Sequence, residues 1–104
     1  MTIFEIQEKL RSEEFEVSLH AFEEAVDDFL SLQDVLTSVL RDGEVLEDDT
    51  DDFRCLVCCK CRQNNIHVVF DYYDFGHAIN SKIEIVTIYK PDPMFWINYR
   101  KRRK

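Results

Sequence analysis

Residues 44–73, EVLEDDTDDFRCLVCCKCRQNNIHVVFDYY, hold the pattern that decides the fold. Branched, aromatic and other apolar residues crowd into "EVLEDD", "FRCLVCCKC" and "IHVVFDYY", and short polar runs separate these stretches. Side chains of this kind pack well on a pleated, half-buried surface, so the texture specifies strands. The run RQNN at 62–65 is short enough to turn one strand directly back on the next as a hairpin loop. A fourth strand, "KIEIVTIY" at 82–89, follows the stretch "DFGHAINS" at 74–81, in which His77 is read as a loop residue.

Upstream of Gly43 the period changes to that of helices. "TIFEIQEKLRS" at 2–12 sets Thr2 and Glu5 in capping-box relation and places Ile3, Ile6 and Leu10 near one face, which predicts a first helix lidding the core. "SLHAFEEAVDDFL" at 18–30 opens on Ser18 as N-cap, and Phe22, Ala25, Val26, Phe29 and Leu30 recur at amphipathic spacing as the expected core face. Its other face carries Glu23, Glu24, Asp27 and Asp28. "SLQDVLTSVLRDG" at 31–43 starts with Ser31 and Asp34, is expected to bury Val35, Leu36, Val39 and Leu40, and stops at Gly43.

Downstream, "VTIYKPDPMFW" at 86–96 ends the last strand on Lys90-Pro91-Asp92-Pro93. Asp92 as N-cap and Pro93 at the first helical position predict a short C-terminal helix through Met94, Phe95, Trp96 and Tyr99. Helices followed by strands give an α+β expectation: N-terminal helices packed on one face of a four-stranded antiparallel sheet, with a short C-terminal helix at its edge.

The 104 residues suit a single domain over 1–104. Their net charge of -8 is unevenly spread, with 17 acidic and 3 basic side chains in residues 1–52 against 4 acidic and 10 basic in 53–104. The N-terminal half should therefore repel nucleic acid, whereas "YRKRRK" at 99–104 can attract it or an acidic protein, or can act as a solvated helix end. No apolar run reaches the ~18 residues of a membrane span, and the acidic N-terminus is unlike a signal peptide, so the expectation is a cytoplasmic protein with no membrane contact.

Cys55, Cys58, Cys59 and Cys61 lie on one extended segment, which points three of them to one face and Cys58 to the other. Four ligands cannot converge tetrahedrally from there, so they read as small buried hydrophobes in their reduced form. The acidic runs at 22–28 and 46–52 lack the spacing and glycine of a calcium loop. No metal and no cofactor is expected.

The order SLHA at 18–21, VLRDGEVLED at 39–48, IHVVF at 66–70 and IVTIYKPDPMFW at 85–96 resembles the family DUF4258, over about Ser18 to Arg103, with the last motif the most specific. Residues 1–17 are then an extra N-terminal helical segment. The resemblance implies the barnase/EndoU/colicin/RelE class of small folds, whose members include toxin endoribonucleases paired with antitoxins. It also implies arginines four and eight residues after His20, where this chain has Glu24 and Asp28.

Metal-free RNA cleavage needs a base for the 2'-OH and an acid for the leaving 5'-oxygen. His20 and His67 are the candidates, with Tyr89 at a strand end as a further catalytic hydroxyl, and Lys90, Arg100, Arg102 and Arg103 as RNA-binding cations. Each has a structural alternative: histidines bonded to backbone, and a tyrosine that merely closes the core. The function expected is a toxin-like, metal-independent endoribonuclease or a degenerate descendant of one, with RNA, an antitoxin-like protein and a second copy in a homodimer as partners. The alternative is a non-catalytic protein–protein interaction module, which the acids at 24 and 28 favour.

Overall fold

The computed structural model describes residues 1–72 and 82–104. The loop expected at 74–81, His77 included, lies outside them. In chain order the elements are α1 (Ile3–Arg11), β1 (Phe15–Val17), α2 (Leu19–Asp27), α3 (Leu32–Asp42), β2 (Glu44–Asp49), β3 (Arg54–Cys61), β4 (Asn64–Asp71), β5 (Ile83–Tyr89), β6 (Trp96–Ile97) and β7 (Lys101–Arg102).

The α+β class stands, but the four-stranded antiparallel sheet is corrected to a five-stranded mixed one in the order β1-β5-β4-β3-β2. β1 pairs parallel with β5 through Phe15–Ile83 and Val17–Ile85, while the other pairs are antiparallel. Three residues are too few to display a period of two, so β1 gave no pattern to read. It forms because the bend after α1 lays Glu14 beside β5, where its carbonyl accepts the Ile83 N–H at 3.1 Å.

The expected C-terminal helix is also corrected, to the small hairpin of β6 and β7. Asp92 does cap a turn, with Met94 N–H donating to its Oδ1 at 2.8 Å and Trp96 N–H to its carbonyl at 3.1 Å. One turn is all that forms, because so short a helix does not repay its nucleation. Asn98 and Tyr99 then adopt positive φ, and Trp96 turns inward to be buried on the sheet.

Alternation along the strands builds the core. Cys55, Val57, Cys59 and Cys61 of β3, Ile66, Val68 and Phe70 of β4, and Ile83, Ile85 and Ile88 of β5 face the helices. Ile6 and Leu10 of α1 and Val35 and Val39 of α3 close over them, while Leu36 and Leu40 are half-buried. The β3–β4 hairpin is tighter than RQNN suggested: only Arg62 and Gln63 turn, both with the positive φ that matches strand twist, and Asn64 and Asn65 pair within β4. Gly43 is required where α3 meets β2, since a Cβ there would stand 2.5 Å from the Val39 carbonyl oxygen.

Helix α2 is turned away from its expected orientation. Ala21 and Ala25 pack inward, whereas Leu19 is 72%, Phe22 51%, Val26 56% and Phe29 97% exposed. Two alanines let the helix backbone lie close over β5, and this approach brings Glu24 to the free edge of that strand. Beyond β1, the Ile88 N–H donates to Glu24 Oε1 at 3.0 Å and the Thr87 hydroxyl donates to the same oxygen. The larger apolar side chains are left outside.

Candidate functional site

The face of the sheet away from the helices carries Glu44 and Glu47 of β2, Leu56 and Cys58 of β3, His67 of β4 and Tyr89 of β5, as the strand pairing dictates. The C-terminal hairpin lies over it. His67 is fully buried, its ring meeting Trp96 edge-on at 4.5 Å and Tyr89 at 5.2 Å between centroids. Its Nε2 lies 2.6 Å from the Tyr99 carbonyl oxygen and its Nδ1 3.1 Å from the Tyr89 hydroxyl. A carbonyl only accepts, so the imidazole carries its proton on Nε2, and Nδ1 accepts from tyrosine.

The three arginines of the tail are engaged within the chain. Arg102 grips Glu47 with Nε and Nη2 at 2.7 and 3.1 Å and lies 4.7 Å above the Trp96 ring. Arg100 pairs with Glu44, and Arg103 Nε donates to the Pro93 carbonyl at 2.8 Å. Lys90 is exposed where β5 ends. A cavity of about 280 Å³ beside Tyr89 is walled by Arg54, Arg102, Glu47, Asp49 and Asp52. Three carboxylates against two guanidiniums do not make a field that draws a phosphate.

The structure thus brings together His67, Tyr89 and Arg102, the last through Trp96. It places His20 elsewhere, exposed on the first turn of α2, with Nε2 3.3 Å from Glu24 Oε1. No contact joins His20 to His67 among the described residues. Glu24 is not a reversed phosphate contact standing in solvent, because its carboxylate satisfies the edge of β5.

Burial lowers the pKa of His67, because a charged imidazole loses its hydration there, and the Tyr99 carbonyl opposes this only in part. Burial likewise raises the Tyr89 phenol and pushes the Cys55 and Cys59 thiols up to about 11 and about 12. A histidine whose folded pKa is depressed favours folding above its unfolded value and loses that contribution as pH falls. Stability to urea should therefore decline as pH drops below about 6.5, with a slope of up to ~1.4 kcal/mol per pH unit. The H67N variant should show a flatter profile across the same interval, and an equally steep one would remove His67 as the cause.

α2 breaks three local rules at once. Its apolar residues 19, 22 and 26 point outward, spaced three and four apart as in a helix–helix seam, and Phe29 is exposed just past its C-cap. Glu23, Asp27 and Asp28 crowd the C-terminal half, where the helix dipole is negative and no basic residue stands. Phe29 occupies the left-handed position after the C-cap at φ 56°, where glycine is favoured: Leu30 N–H returns to the Ala25 carbonyl at 2.8 Å and Phe29 N–H to Val26 at 3.0 Å. The sequence contained this seam, but the same residues also fit a core face, and only Ala21 and Ala25 signalled the other orientation.

A family model described as "Domain of unknown function (DUF4258)" matches residues 17–90. No curated protein and no solved structure matches the chain. The match takes in α2 through β5 and ends before the hairpin, so the PDPMFW portion of the C-terminal motif lies beyond it.

Proposed function

We propose that this chain, which belongs to the DUF4258 family, works as a non-catalytic protein-interaction module whose contact surface is the outward side of α2. The observation that carries this reading is the inverted helix, with alanines inside and Leu19, Phe22, Val26 and Phe29 outside. Burying one such large side chain contributes about 1.5–3 kcal/mol, so the folded chain alone forgoes several kcal/mol that a partner can recover.

The endoribonuclease reading asks for a base and an acid that reach one substrate. His67 is sealed beneath Trp96 with both ring nitrogens engaged, His20 is not beside it, and Arg100 and Arg102 are held by glutamates. The geometry therefore favours the interaction reading over RNA cleavage.

A photo-crosslinking residue at Val26 or Phe29, in cells that make the protein, should give one protein adduct, identical for both positions. Lys60 or Lys101 as the crosslinking position should not give it. Position-independent adducts, together with cleavage of RNA by the purified protein in EDTA, would replace this reading with the nuclease.

Exchange of Phe29 for glycine is expected to stabilise the isolated chain by about 1 kcal/mol, since glycine accepts the left-handed conformation without the cost a side chain carries. The same change should diminish the adduct formed from position 26. Urea unfolding of F29G checks the first effect, and a loss of stability would show that the aromatic ring supports the fold.

A further inference from the structure

Resting on the interaction reading, we infer that the partner of α2 is an amphipathic helix whose apolar stripe is bordered by lysine or arginine, and that it packs along Leu19, Phe22, Val26 and Phe29. Leu19, Phe22 and Val26, three and four apart, line one flank of α2, and the exposed Phe29 just past its C-cap extends them, so this side accepts a second helix laid along it. The charges fix its chemistry. Glu23 and Asp27 are exposed beside the stripe, and Asp28 ends the helix. Among the described residues the only ion pair on α2 is that of His20 with Glu24. Elsewhere several acids are paired: Glu44 and Glu47 with Arg100 and Arg102, Asp34 with Arg62, and Glu14 with Lys9.

Cations from a partner would meet Glu23 and Asp27, the second of them at the negative pole of α2. A second copy docked stripe to stripe would instead bring the same carboxylates together. Like charges across a seam oppose pairing, which selects a different chain over a homodimer through this face.

Binding to two synthetic three-heptad peptides of about 21 residues tests this, both with leucine at the apolar seam and with either lysine or glutamate at the flanking positions. Like flanking charges keep each peptide from pairing with itself. The lysine peptide should bind the wild-type chain at least about tenfold more tightly than the glutamate peptide, and should weaken as salt rises from about 50 to about 500 mM. The charge-reversed variant E23K/D27K should invert the preference, and F29G should weaken the lysine peptide by about tenfold. Equal binding of both peptides, lost in F29G, would overturn the basic partner while leaving α2 as a binding face. Binding of the lysine peptide unchanged by F29G and by E23K/D27K would overturn the site itself. Self-association of the wild-type chain that F29G abolishes would assign the stripe to a homodimer and overturn the inference.

Discussion

Replacing Trp96 by alanine should release the C-terminal hairpin from the sheet and uncover His67. After Pro91, Trp96 is the one buried side chain of the C-terminal segment, and its neighbours Met94, Phe95 and Ile97 are exposed. Two strands of two residues have no stability of their own. Loss of a buried tryptophan costs about 3–5 kcal/mol, more than the exposed pairs of Arg100 and Arg102, at about 0–1 kcal/mol each, can offset. The helix-side core does not include Trp96, so the five-stranded sheet should persist. In W96A the chain should become readily cleaved by trypsin near Arg100, and the His67 pKa should return toward about 6.5 as water reaches the ring. Proton NMR of His67 and a digestion time course would show both. An unchanged imidazole titration would mean that some other contact seals this face.

The second large effect separates the two sides of α2. Ala25 is buried against the sheet, so A25K must place an ammonium group where nothing can pair with it, at a cost of several kcal/mol. Phe22, three residues earlier, is 51% exposed, and F22K should change stability by only about 0.5 kcal/mol. Thermal unfolding of the two variants side by side gives the answer. Had the helix been seated with its large residues inward, the order of the two effects would be reversed.

That reversal marks where sequence patterning stops being decisive. Helix positions were legible because Thr2, Ser18 and Ser31 each supply the cap oxygen their helix needs, and all three accept the expected backbone N–H. The β3 and β4 strands were legible because the alternation of Cys55, Val57, Cys59 and Cys61 has only one consistent inward face. For α2 the periodicity at 22, 25, 26 and 29 told of an apolar side but not of what would cover it. The burial of a helix side is a tertiary fact, and here the close seat of Ala21 and Ala25 and the reach of Glu24 to β5 decided it. The C-terminal segment failed for a related reason: Asp92 and Pro93 are good helix-start chemistry, yet the contact of Trp96 with His67 lies 29 positions apart in sequence and no local pattern records it.

The candidate site divides in the same way. His67 and Tyr89 are residue types suited to proton transfer, and they do touch, but the fold of Trp96 back over His67 is a tertiary contact that its motif does not announce. The acids at 24 and 28 depart from the basic pattern that the family resemblance implies. One of them, Glu24, instead satisfies a strand edge, and only the exposed Glu23 and Asp27 are left to meet a partner.

The most direct test of the proposed surface is a nitrogen-15 NMR titration of the chain with the lysine-flanked peptide. If α2 is the docking helix, the amide shifts should concentrate on residues 19–30, with Phe22, Val26 and Phe29 among the largest. Simple attraction of a cation to the most acidic stretch would instead move residues 47–52, where Glu47, Asp48, Asp49, Asp51 and Asp52 cluster. Shifts confined to that stretch, with residues 19–30 unmoved, would contradict the account.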